Sequence, residues 1–124
     1  MAIDIGDFQK VELKIGTILV AEYIPGADKL LRLEVDFGPR DDASVVVEGE
    51  AIAAPRDIRQ ILSGIREYYE PEQLIGKQCP FVTNLPPRTM RGLESHGMIL
   101  AVGLGESAVL LHPDKEVPPG SKLR

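Results

Sequence analysis

The chain has 124 residues, 44% of them hydrophobic and 27% charged, and its 14 Lys and Arg against 19 Asp and Glu give a formal net charge of −5. That length can bury the core of one domain without staples, the composition is far from that of a disordered chain, and a single cysteine excludes an internal disulfide framework. No run approaches the roughly 18 consecutive apolar residues of a membrane span, and no basic leader precedes an apolar stretch at the amino terminus, so the expectation is a soluble, cytoplasmic protein with no membrane contact.

In chain order, the first element is a strand. Across Lys10 to Tyr23, Val11, Leu13 and Ile15 alternate with Glu12, Lys14 and Gly16, and the pattern continues through Ile18 and Val20. Period two over that length predicts a long half-buried strand, with a bulge or bend at Gly16. Pro25 and Gly26 mark a turn. Leu31, Leu33, Val35 and Phe37 then alternate with Arg32, Glu34 and Asp36 in a second strand. Residues 39–59 read as a loop or hairpin excursion, with a short strand at Val45 to Val47 and a turn at Glu48-Gly49. Ile58 to Ile65 predicts a third strand, broken at Ser63-Gly64.

One short helix is signalled by Pro71 at its first position, acids behind it and Gly76 as a stop. Gln78 to Leu85 predicts a fourth strand, with Cys79 as a small buried hydrophobe, and Gly97 to Leu104 a fifth. Val109 to Leu111 reads as a small extra strand. Residues 112–124 are Pro-rich and predict an extended tail that packs on the barrel or on a partner. Strands with one short helix between the third and fourth are the order of an all-β OB-fold, a five-stranded Greek-key barrel; a β-sandwich is the alternative.

Catalytic motifs are absent. GLGES at Gly103 lacks the third glycine and following helix of a nucleotide loop. His96 and His112 have no spacing that suggests a metal site. Ser95 and His96, as neighbours on a strand, point to opposite faces and cannot serve each other as nucleophile and base. No cofactor is expected.

The charge is unevenly placed. Residues 36–76 hold nine acids and four bases, which accounts for the whole net charge, whereas residues 77–105 hold three bases and one acid. Within this second stretch lies NLPPRTMRGLESHGMIL, starting at Asn84. Its prolines deny it a helix. Arg88 and Arg91 lie three apart and in a turn can point to one side, and Arg suits bidentate phosphate contact and stacking on bases. Asn84 and Ser95 offer neutral donors and acceptors, and Met90 and Met98 offer polarizable apolar faces for unstacked bases.

Five blocks of the chain resemble one family in the right order: DFQKVELKIGTILVAE at Asp7, PGADKLLRLEVDFG at Pro25, ILSGIREYYEPEQLIGK at Ile61, NLPPRTMRGLESHGMIL at Asn84 and VLLHPDKEVPPGSKLR at Val109. The chain is similar to the tRNA-binding domain found in methionyl-tRNA synthetases, in free-standing structure-specific tRNA-binding proteins and in the endothelial monocyte-activating polypeptide. The resemblance implies an OB barrel over residues 1–124 that binds folded tRNA by shape without catalysis, as a homodimer and in some cases beside an aminoacyl-tRNA synthetase. It implies a binding groove at Lys29, Asn84, Arg88, Met90, Arg91, Ser95 and Met98. Apart from the resemblance, Arg32 would add to the basic face if it lies on the same side as Lys29, Arg88 and Arg91. A related branch, chaperone-like secretion dimers that bind peptides, is the alternative. Pro86 and Thr89 stand where many members of the family carry lysine.

Overall fold

After a short helix α1, Ile5–Phe8, alternating apolar side chains set β1, Leu13–Tyr23, which buries Ile15, Ile18 and Ala21 and turns the last two into the main core. A computed structural model of the protein describes residues 1–40 and 55–124. In it β2, Leu31–Pro39, runs antiparallel to the second half of β1, and β3, Arg56–Ser63, runs antiparallel to β2. The expected short helix, α2 at Pro71–Leu74, follows β3. β4, Gln78–Val82, pairs with the first half of β1, from Leu13↔Val82 to Thr17↔Gln78. β5, Arg88–Met90, and β6, Leu93–Ser95, stand off the sheet as a pair. β7, Met98–Ile99, returns to β4, giving one antiparallel sheet in the order β3-β2-β1-β4-β7. Because β1 gives its two halves to different neighbours, the sheet curls around it. This is the expected all-β OB architecture.

The core fills the curl. Ile18, Leu31, Leu33, Val35, Ile61 and Phe81 are fully buried, and Phe37 meets Phe81 edge to face at 5.4 Å. Leu74 plugs the core from α2, whose start is fixed by a capping box in which Glu70 and Gln73 satisfy each other's backbone N–H groups. Cys79 is buried in β4 as expected, and loss of solvation pushes its thiol up to about 11.

Several boundaries differ from the sequence expectation. The irregularity in β1 falls between Ile18 and Val20, not at Gly16, which pairs in register with Cys79. Gly16 answers to packing instead, since a Cβ there would run into Val35 Cγ1 and the Phe37 ring. β3 begins at Arg56, so the last four residues of the expected 39–59 excursion belong to the barrel; the expected strand at Val45 to Val47 and turn at Glu48-Gly49 lie outside the described residues. Helix α1 carries no sequence signal we identified and buries none of its residues. The expected fifth strand, Gly97 to Leu104, is divided. Leu100 N–H donates to the Pro80 carbonyl, but Pro80 has no N–H to return, so the ladder on β4 ends there. The chain departs into a separate hairpin of β8, Ala101–Leu104, and β9, Ser107–Leu110. The end of the 112–124 tail lies along β1, through Gly120 N–H to the Ile15 carbonyl (2.7 Å), Ile15 N–H to the Ser121 carbonyl and Leu123 N–H to the Leu13 carbonyl (both 2.9 Å).

The far edge, β3, meets the segment before β7 through side chains and one backbone hydrogen bond. The Arg59 guanidinium, paired with Asp57, donates to the carbonyls of Thr83 (2.7 Å) and His96 (3.2 Å) and lies over the Phe37 ring. His96 N–H donates to the Gln60 carbonyl, and the Gln60 amide donates to the Glu94 carbonyl. Arg59→Ala removes the donor from two carbonyls at once and should destabilise the fold by about 1.5–3 kcal/mol. A lower urea midpoint is the expected reading, with Arg59→Lys intermediate because one ammonium cannot reproduce the fork.

Candidate nucleic-acid interface

The stretch after β4, denied a helix by its prolines, forms a β-hairpin. β5 pairs with β6 in the register Arg88↔Ser95, Thr89↔Glu94, Met90↔Leu93. The two turn residues, Arg91 and Gly92, have φ of 53° and 77°, as a two-residue turn matched to strand twist requires. Glycine adopts this conformation freely and arginine does not. Period two puts Arg88, Met90, Leu93 and Ser95 on one face of the hairpin and Thr89 and Glu94 on the other. Met90 and Leu93, with Leu30, pack on the buried cluster of Ile24, Ala27 and Leu62. Ser95 is buried; its hydroxyl accepts from Leu62 N–H (3.0 Å) and donates to the Gly97 carbonyl (3.1 Å), which fastens the hairpin to β3.

Between this hairpin and the end of β3 runs a groove of about 640 Å³. Its walls are mostly apolar: Leu30, Leu62, Ile65, Leu85, Met98 and Ile99 contribute, and Arg88 is the one charged side chain among the described residues that line it. Of the seven expected site residues, Arg88, Met90, Ser95 and Met98 line the groove. Lys29 is exposed next to the wall residue Leu30. Arg91 stands at the exposed tip of the hairpin, so the two arginines do not share one turn; one lies along β5 and the other beyond it. Asn84 faces away from the groove, its side chain bonded to the backbone of Lys10 and Glu12.

The arginines divide sharply. Neither Arg88 nor Arg91 makes an ion pair among the described residues. Arg32, expected to add to the basic face, is instead neutralised by Glu22 (2.8 Å) and Glu34 (3.0 Å) and donates to Gln60 (2.7 Å). Arg56 pairs with Asp36, and Arg66 lies over the Tyr23 ring. Among the described residues, no group of three or more His, Cys, Asp or Glu side chains is placed to hold a metal, and no helix is long and apolar enough to cross a membrane. What the site offers is an apolar trough with cations at its rim, which suits a ligand that is anionic on one side and flat or apolar on the other. No local pattern signals the role of Arg59, Gln60 and Leu62 in holding this trough, because their partners are groups more than 20 residues away in the chain.

Residues 13–122 match the family model described as a putative tRNA binding domain. The methionine–tRNA ligase of Methanoregula boonei is 47% identical over 122 residues, which cover 98% of this chain and 16% of the ligase. The chain thus spans about a sixth of the length of the curated relatives it matches. Among solved structures, the MetRS related protein from Pyrococcus horikoshii superposes with a TM-score of 0.80 at 31% identity, covering 100% of this chain and 99% of that one. The chaperone CsaA from Bacillus anthracis superposes with a TM-score of 0.78 at 33% identity, with both chains fully covered.

Removing the Ser95 hydroxyl tests the fastening. Ser95→Ala leaves the buried Leu62 N–H without an acceptor and should destabilise the protein by about 1–3 kcal/mol, read in thermal unfolding. An unchanged melting temperature would show that the Ser95 hydroxyl adds nothing to the hold on the hairpin.

Proposed function

The chain belongs to the putative tRNA-binding domain family, and we propose that residues 1–124 form one domain that binds tRNA and catalyses nothing. We read it as a free-standing cofactor or a methionyl-tRNA synthetase β-subunit-like protein. The observation that carries the reading is the pairing of a mostly apolar groove with two arginines that have no acidic partner among the described residues, in a chain of net charge −5. Arg88 meets phosphate at the groove mouth, and Met90 and Met98 present apolar surface to bases inside it. Arg91 supports this assignment, since a left-handed backbone at a non-glycine residue is strained and such strain gathers at functional positions. Lys29 continues the cationic rim on the β3 side.

Two variants separate binding from stability. Arg88→Ala removes a charge-assisted hydrogen bond to phosphate and should weaken tRNA binding about tenfold or more in a gel shift. Arg91→Gly should also weaken binding while leaving the melting temperature equal or higher, because glycine relaxes the turn. Every cation withdrawn from phosphate should make the slope of log affinity against log salt shallower by about 0.7–0.9. A second reading, peptide binding in the apolar groove, draws on the likeness to the chaperone CsaA. Tight, salt-insensitive peptide binding with no tRNA shift would favour it.

We also propose a homodimer. The outer face of β8–β9 leaves Val102, Leu104 and Val109 exposed, and Ile3, Ile5 and Phe8 are exposed at the amino terminus; a twofold would cover apolar surface and double the basic rim. Light scattering should give twice the chain mass at micromolar concentration, and a stable monomer would contradict the dimer.

A further inference from the structure

Asn84 sits where backbone pairing between β4 and the amino-terminal segment runs out. Past the last β1–β4 pair, Thr83 N–H still donates to the Glu12 carbonyl (2.9 Å), and its hydroxyl donates to the Glu12 carboxylate (2.6 Å). That hydroxyl is the main reason the Glu12 carboxyl is held below the usual carboxylate value. Farther along, Pro86 and Pro87 have no N–H with which to continue a ladder. The Asn84 carboxamide takes the place of a peptide unit: its Oδ1 accepts from Glu12 N–H (2.8 Å) and its Nδ2 donates to the Lys10 carbonyl (2.7 Å). The two partners fix which end is oxygen and which is nitrogen, because an N–H needs an acceptor and a carbonyl needs a donor. The next residues, Leu85 and Pro86, form the wall of the groove, and Arg88 follows on β5.

We infer that Asn84 is a positioning residue for the groove: its amide, held by the backbone of Lys10 and Glu12, fixes where the 85–98 segment leaves the barrel, and it does so without touching RNA. This role rests on the RNA-binding reading of the groove and departs from the contact role that family resemblance assigns to this position. The chemistry required is narrow. Aspartate keeps the acceptor but sets an oxygen against the Lys10 carbonyl, alanine keeps neither group, and glutamine is one methylene longer.

The test uses the full chain with Asn84→Ala and Asn84→Asp, and two readouts. The first is amide hydrogen exchange by NMR in the RNA-free protein; the second is tRNA affinity measured beside the wild type. Exchange at Glu12 rises in Asn84→Ala, which loses the acceptor, so the β5–β6 amides decide the matter. A positioning role gives faster exchange across 88–95 together with an affinity loss of about tenfold in both variants, the scale of one or two hydrogen bonds. Affinity loss with β5–β6 exchange unchanged would mean that Asn84 touches RNA directly, and would overturn the inference. Unchanged affinity in both variants would also overturn it, leaving Asn84 as a local pin for the amino-terminal segment. A wild-type chain that fails to shift tRNA at all would instead refute the RNA reading on which the inference stands.

Discussion

The structure depends on how the open edge of its sheet is closed. β3 and β7 share no ladder; β3 and the segment before β7 are joined by a single backbone hydrogen bond, His96 N–H to the Gln60 carbonyl, and by side chains of β3 that reach backbone groups on either side of it. Arg59 carries most of this seam. One planar guanidinium satisfies two carbonyls while Asp57 balances its charge and the Phe37 ring lies under it. A backbone ladder would have brought the two edges to strand spacing and left no room. One backbone bond with side chains around it does not continue as a ladder, and farther along the same edge, past the Ser95 fastening, the groove opens. The groove is thus a consequence of how the barrel is shut.

That arrangement explains a division among cations that composition hides. Arg32, Arg56 and Arg59 are paired with carboxylates of their own neighbourhood, and Arg66 is engaged by a carbonyl and the Tyr23 ring. These side chains hold strands together and add little to the outward field. The exposed arginines of the hairpin have no such partner among the described residues. Exposed cations with freedom to reorganise are the ones that release counterions when phosphate arrives. An acidic chain can therefore present a locally cationic rim, and its surplus of acids disfavours nucleic acid approaching from other sides.

Much of this is legible in the sequence. Alternation in β1 and β2 is strong because one face is core and the other is not, and the helix signal from Glu70 to Gly76 is local chemistry that tertiary packing did not override. Other features depend on distant partners. Gly16 reads as a bulge because its reason, the Val35 and Phe37 side chains on the neighbouring strand, is absent from its own vicinity. The fifth strand reads as continuous because its interruption is caused by Pro80, which lies 20 residues earlier. At the site, residue types point to Arg88, Met90 and Met98, which do line one groove, but they cannot show that the Ser95 hydroxyl and the Asn84 amide are already engaged inside the protein. Arg32 reads as a free cation because Glu22 approaches it from another strand.

The central claim is that tRNA occupies the groove between β3 and the β5–β6 hairpin. The chain carries three methionines, Met1, Met90 and Met98, and two of them line that groove. Their methyl resonances make a direct measurement, with labelled methionine in the 124-residue chain titrated with unlabelled tRNA. Saturable shifts or broadening of the Met90 and Met98 methyls, beyond anything seen at Met1, are the predicted result. Saturation of tRNA binding with the Met90 and Met98 methyls unmoved would place the RNA elsewhere on the barrel and contradict the claim.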